Sequence, residues 1–192
     1  MAATETATEV YWVTAEVVSA EAFAPFGSVL TAEGQERLPI NLYPGIDVFR
    51  PALIHADTDT EWLLTRTSVR EFRLLYLERH MQLAQAFIPL GGAPFVSVLA
   101  AADAPEEDGF PAFDQIRAFI VPGDRGIQID AGVWHEPPFA LVDNSLQLIT
   151  SHQALTRGLG SDLNQHREID QLDVEKRNLT ERPGRIVKIA LP

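Results

Sequence analysis

The chain has 192 residues, 46% of them hydrophobic, enough to bury one substantial core, so one domain with short extensions is expected. Its 15 basic and 27 acidic residues leave a formal charge of −12, which repels nucleic acid and anionic membrane surfaces at long range. Cysteine is absent, which excludes disulfides and thiolate ligands and leaves His, Asp, Glu or amide oxygens to hold any metal.

Residues 1–9 are acidic and rich in Ala and Thr, without the basic start and apolar middle of a secretory signal. They are expected to form a mobile tail, and the cytoplasm is the expected compartment. No apolar run reaches the length that crosses a bilayer. Residues 10–18 read as a strand; Ser19 then caps a short helix at 21–26 that Gly27 stops, and 28–31 is extended again. Pro39, Pro44, Gly45 and Pro51 divide residues 38–54 into short strands and turns. Strand-like runs follow at 69–80, 85–90 and 95–101, the last two separated by the turn Gly91-Gly92-Ala93-Pro94. After an acidic surface loop at 103–109, further strands are predicted at 116–121, 126–130, 139–142 and 146–151. Strands this short and this regularly punctuated predict a barrel or sandwich. Beyond Arg157 the chain turns polar and charged, with a solvated helix predicted within 161–178. Its apolar ending at 186–191 adds an edge strand or reaches a neighbouring subunit. The predicted layout is a tail at 1–9, a β domain at 10–160 and a charged extension at 161–192.

Alternation through 72–80 predicts Phe72, Leu74, Tyr76, Glu78 and His80 on one strand face. That stripe starts apolar and ends in a carboxylate and an imidazole. Such groups are expensive to bury unless paired, hydrogen-bonded or ligating something, so they read as the mouth of a pocket. The spacing of these residues, with His135 closing Gly132-Val133-Trp134-His135, resembles the two cupin motifs; a small barrel of that kind would bring inward-facing groups from two hairpins to one end, with Glu78, His80, Gln85 and His135 as the converging set. Two imidazoles and a carboxylate could hold Ni²⁺, Mn²⁺, Fe²⁺ or Zn²⁺ with open positions; alternatively Glu78 and His80 pair with each other or with backbone and no metal binds. Glu136 precedes Pro137-Pro138 in a stiff loop, where it is a general base if desolvated and an ordinary surface acid if not. Asp130 shares its strand face with Gln128, which permits a pocket role, and His152 could reach the same cavity. Trp134 is either an apolar pocket wall or a core residue. Arg157, ahead of Gly158-Leu159-Gly160-Ser161-Asp162, either clasps a ligand carboxylate or makes a surface salt bridge. With no phosphate-binding Gly-Lys-Ser/Thr loop, Gly-x-Ser-x-Gly elbow or His-Glu-x-x-His helix, nucleotide and serine-nucleophile chemistry fall away.

The spacing of Glu78, His80, Gln85 and Gly92 is similar to the first cupin motif, and Gly132-Val133-Trp134-His135 is similar to the second. With Phe23-Ala24-Pro25-Phe26-Gly27, Leu77-Glu78-Arg79-His80, Gln85-Ala86-Phe87-Ile88-Pro89, Ile116-Arg117-Ala118-Phe119-Ile120 and Gly160-Ser161-Asp162 in the same order, the chain resembles the ureidoglycolate lyase family of the cupin superfamily. The resemblance implies a mostly β, cupin-like β-barrel (double-stranded β-helix or jelly roll) with a few short helices. It further implies a cytosolic homodimer that splits ureidoglycolate into glyoxylate and urea in purine and allantoin breakdown, either without a cofactor or with a divalent metal such as Ni²⁺. A small molecule is the expected partner, with neither nucleic acid nor membrane. The family's Asn-Tyr-His and Trp-His-His-Pro are replaced here by Gln128-Ile129-Asp130 and Trp134-His135-Glu136-Pro137, which predicts a more negative pocket mouth. The roles expected are catalytic for His135, Glu136 and Asp130, and substrate-binding for Gln85, Trp134, Tyr76 and Arg157. Glu78, His80, Gln85 and His135 are the expected ligands where a metal is bound. Two further readings stay open: another lyase, hydratase or isomerase reaction on the same fold, and a non-catalytic small-molecule-binding cupin.

Overall fold

Strands with one apolar face make up most of the regular structure in residues 9–39, 47–54, 59–153, 156, 168–170, 173–181 and 185–192, which this computed structural model describes. In chain order they begin with β1 (Glu9–Val17), β2 (Gly27–Leu30), β3 (Thr60–Thr67), β4 (Arg73–Leu74), β5 (Tyr76–His80) and β6 (Gln85–Leu90). Next come β7 (Phe95–Ala100), β8 (Glu106–Glu107), β9 (Phe110–Pro111), β10 (Arg117–Val121), β11 (Gly126–Ile129) and β12 (Trp134–His135). The set closes with β13 (Phe139–Ala140), β14 (Ser145–His152), β15 (Ile169–Asp170), β16 (Val174–Asn178) and β17 (Arg185–Ala190). Between β1 and β2, α1 (Ala20–Phe23) starts at the predicted cap, where Ser19 Oγ accepts the Ala22 N–H at 3.1 Å. Among the described residues no helix is long and apolar enough to cross a membrane.

A ten-stranded sheet runs β15-β16-β5-β12-β7-β10-β1-β17-β4, with β13 also on β7, and a five-stranded sheet runs β2-β11-β6-β14-β3. Phe95, Leu99 and Phe119 of the first meet Val29, Phe87 and Ile127 of the second around Phe23 and Phe26, so the sheets enclose one interior. Phe119 packs edge-on against both Phe23 and Phe26. The opposite face of the larger sheet carries a second core, with Leu74, Leu77, Val98, Trp134, Phe139 and Val187. The architecture is mostly β, two sheets around a shared interior with few short helices, as expected.

Several elements differ from expectation. The single strand predicted over 69–80 is two strands, β4 and β5, broken at Leu75. The Leu75 N–H donates to Glu136 Oε2 and its carbonyl accepts from Leu179 N–H, so neither group joins a ladder there. The break reverses the alternation: Leu74 joins the outer core and pairs with Val187, whereas Tyr76, Glu78 and His80 share the other face. Phe72 and Leu74 therefore do not continue the Glu78 stripe. The strand β3 and the small β8–β9 hairpin were not expected. Within the stretch predicted as a solvated helix, residues 169–170 and 174–178 are strands of the larger sheet, and residues 161–167 lie outside the described residues. β17 is not an edge: it lies between β1, to which it is parallel, and β4. Residues 1–8, and residues 40–46 within the run 38–54 expected as short strands and turns, also lie outside the described residues.

Candidate functional site

Two adjacent strands place the polar cluster. β12 pairs with β5 so that His135 stands directly opposite Glu78, and directly opposite residues project from the same face. The second hairpin is tied to the first by its glycine: Gly132, at φ +81°, donates its N–H to the His80 carbonyl at 2.7 Å. The Phe26-Gly27 segment is fixed in the same way, since the Phe26 carbonyl accepts the Asp130 N–H at 2.9 Å.

A cavity of about 250 Å³ opens at this end of the barrel, below the roughly 300–1,000 Å³ of drug-sized pockets and suited to a small metabolite. Glu78, His80, Gln85 and His135 line one part of it, and Leu63, Phe87, Pro137 and Ile149 supply apolar wall. Thr65, Ser151 and Thr156 complete the lining. The sequence pointed to Glu78, His80, Gln85 and His135, and the structure brings all of them together.

Their electrostatics are set by burial. Burial lowers His135 to about 4 and His80 to about 3, the neighbouring His135 adding to the effect on His80, so both rings are neutral near pH 7. His135 Nδ1 lies 2.9 Å from the Val133 carbonyl, which can only accept, so the ring proton sits on Nδ1 and Nε2 keeps its lone pair. That Nε2 lies 3.9 Å from Glu78 Oε1, and the two imidazole centroids are 5.3 Å apart. Burial raises Glu78 to about 7, with the Lys176 ammonium pulling the other way. His80 Nδ1, Gln85 Oε1 and His135 Nε2 are buried without a hydrogen-bond partner. Buried polar atoms left unpaired are costly, which makes them the natural contacts of a bound group.

Four expected roles change. Asp130 is exposed and outside the cavity lining, because β11 ends at Ile129 and Asp130 opens the turn to Gly132. Trp134 is fully buried in the outer core, with Arg79 stacked 4.2 Å from its ring; alternation along β12 turns it away from the face His135 occupies. Glu136 is buried but does not line the cavity: Arg70 Nη1 lies 2.9 Å from its Oε1 and the Leu75 N–H reaches its Oε2. Tyr76 shares the Glu78 face without lining the cavity, and burial pushes its hydroxyl pKa up. Arg157 lies outside the described residues. On β14 it is Ser151 that lines the cavity, and His152 does not. The pocket is therefore less negative than the substitutions predicted, since Arg70 engages Glu136 and Asp130 faces solvent.

Sequence reading missed Leu63, Thr65, Arg70 and Lys176. Nothing in the sequence of β3 separates half-buried Leu63 and Thr65 from exposed Trp62 and Leu64, since apolar residues fall on both of its faces.

Fold and site together define a small barrel with a buried acid–base cluster of the kind that works on compact metabolites. The family model for ureidoglycolate lyase matches residues 10–175, and the chain belongs to that family. It is 31% identical to a ureidoglycolate lyase of Azotobacter vinelandii over 79% of this chain and 89% of that one. It is 38% identical to one of Pseudomonas savastanoi pv. phaseolicola over 64% and 72%, and 32% identical to one of Pseudomonas fluorescens over 80% and 89%. Among solved structures, RmlC from Streptococcus suis in complex with dTDP-D-xylose aligns at TM-score 0.34 and 12% identity over 66% of this chain and 71% of that chain. That likeness is too slight to bear on the site.

Proposed function

We propose that the protein is a carbon–nitrogen lyase that splits ureidoglycolate into glyoxylate and urea. The observation that carries this reading is the lone pair of His135 Nε2 beside the Glu78 carboxyl in a metabolite-sized cavity. Cleavage requires removal of the carbinol O–H proton, rupture of the C–N bond as the C–O bond becomes a carbonyl, and protonation of the departing nitrogen. His135 Nε2 takes the first proton, and the Glu78 carboxyl delivers one to the leaving nitrogen. This assigns to Glu78 the acid–base role expected of Glu136. His80 and Gln85 orient the substrate through their unpaired atoms, and Leu63, Phe87 and Ile149 keep bulk water away.

As an alternative to proton transfer by His135 and Glu78, the same donor set fits the divalent metal implied by the family resemblance. Ligand atoms of Glu78, His80 and His135 lie within 4.8 Å of one another, and both imidazoles are neutral. Those three residues would hold the ion, with Gln85 Oε1 beside them; when bound, it supplies a positive charge that polarises substrate oxygens.

The reading extends to a cytoplasmic homodimer acting in purine and allantoin breakdown. The family resemblance supports this, and Trp62 and Leu64, 60% and 64% exposed on β3, offer apolar surface for a second copy. The test is glyoxylate release from racemic ureidoglycolate by recombinant protein. Turnover is expected, with His135→Asn lowering kcat by about 100-fold or more; no release, or full activity in the variant, would refute the proposal.

A further inference from the structure

The strand β16 lies beyond the region in which sequence analysis sought chemistry, and the family match ends at residue 175, one residue before Lys176. β16 runs antiparallel to β5 with Val174, Lys176 and Asn178 opposite His80, Glu78 and Tyr76. Because His135 stands on the other side of Glu78, the residues Lys176, Glu78 and His135 form one row across three adjacent strands. The neighbouring row on the other face is already satisfied: Arg79 bridges Glu175 and Glu106 and stacks on Trp134. Among the described residues Lys176 has no such partner. It is 1% exposed, its Nζ lies 3.9 Å from the centroid of the Tyr76 ring, and no ion pair among the described residues reaches it. Lysine is almost never fully buried without a paired charge, so a cation held over an aromatic face beside an acid cluster calls for a reason.

We propose that Lys176 is the built-in cation of the site, a positioning residue that acts through Glu78. Its fixed charge weakens the hold of Glu78, His80 and His135 on a divalent metal and favours an anionic substrate in the cavity. The inference rests on reading those three residues as the site. Its electrostatic basis is elementary: at the short range across neighbouring strands and in the low dielectric of the interior, one unit charge is worth a large factor in the affinity for another ion. The same charge offsets the Glu78 carboxyl when a carboxylate enters the cavity, since Arg70 is engaged by Glu136.

The test titrates Ni²⁺ alone into chelator-treated full-length protein, compares wild type with Lys176→Met and Lys176→Gln, and reads affinity by calorimetry. Both variants should bind about tenfold or more tightly than wild type. Adding Glu78→Gln to Lys176→Met should abolish the gain. In turnover assays Lys176→Met should raise KM for ureidoglycolate more than it lowers kcat, and Lys176→Arg should restore KM. Equal Ni²⁺ affinity in all the proteins, or binding by none of them, would overturn the inference. Because the titration needs no turnover, that outcome is separable from failure to cleave ureidoglycolate.

Discussion

Glu136 shows how one side chain can look catalytic and serve the fold. Both of its oxygens are engaged, by Arg70 and by the Leu75 N–H, so the carboxylate holds the point where alternation reverses between β4 and β5. Removing its cation should cost more than removing its charge. Arg70→Met, which leaves a buried carboxylate unpaired, is expected to destabilise the protein by about 2 kcal/mol, reduced from the fully buried case because Arg70 is partly exposed. Glu136→Gln keeps an acceptor for Leu75 and should cost about 1 kcal/mol. Urea denaturation of both variants measures the difference. At the cavity, the two groups proposed for proton transfer are pushed to opposite sides of their usual order. His135 is a competent base above about 4, and Glu78 keeps its acidic proton below about 7. The pH profile of kcat/KM is therefore expected to be bell-shaped between those values, with the alkaline limb absent in Glu78→Gln.

At the scale of elements, the strands were legible where alternation was clean and hidden where it reversed or where the residues were polar. β1, β2, β6, β7, β10 and β11 fall close to their predicted positions because each presents apolar side chains to a core; β14 does so too, although the residues it buries are Ser145, Gln147, Thr150 and Ser151. β16 was concealed: Glu175, Lys176, Arg177 and Asn178 read as solvated, and only pairing with β5 shows that Lys176 and Asn178 are buried. The β2–β11 ladder depends on Gly27, whose φ is +142° and whose added Cβ would lie 2.0 Å from the Gln128 carbonyl oxygen. Gly27→Ala is expected to cost about 3 kcal/mol or more, because neither the backbone nor the ladder can yield without losing hydrogen bonds. The drop in melting temperature would measure it.

For the whole molecule, the buried site ties stability to pH in two opposing ways. His80 and His135 have folded pKa values of about 3 and about 4 against 6.5 unfolded, so their contribution is present above 6.5 and is lost as pH falls towards those values. Glu78 and Glu136, raised from 4.5 to about 7, contribute below 4.5 and lose that contribution as pH rises through 7. Between 4.5 and 6.5 the slopes oppose each other. His80→Gln removes one of the acid-sensitive groups, so its stability relative to wild type should improve as pH falls from 6.5 to 4, as measured by urea denaturation at each pH. A relative stability that did not change with pH would show that His80 is not held neutral by burial.

Local pattern determined a barrel or sandwich and the Ser19 cap, and the resemblance of two short motifs pointed to the convergence of Glu78, His80, Gln85 and His135. Those conclusions need only period-two alternation, capping chemistry and the spacing of two motifs. Tertiary structure decided which polar groups reach the cavity: it turned Trp134 into the outer core, left Asp130 in solvent, bound Glu136 to Arg70 and set Lys176 beside Glu78. Register between strands distant in the chain sets those outcomes, and register depends on which partner each edge finds rather than on the residues of either strand alone.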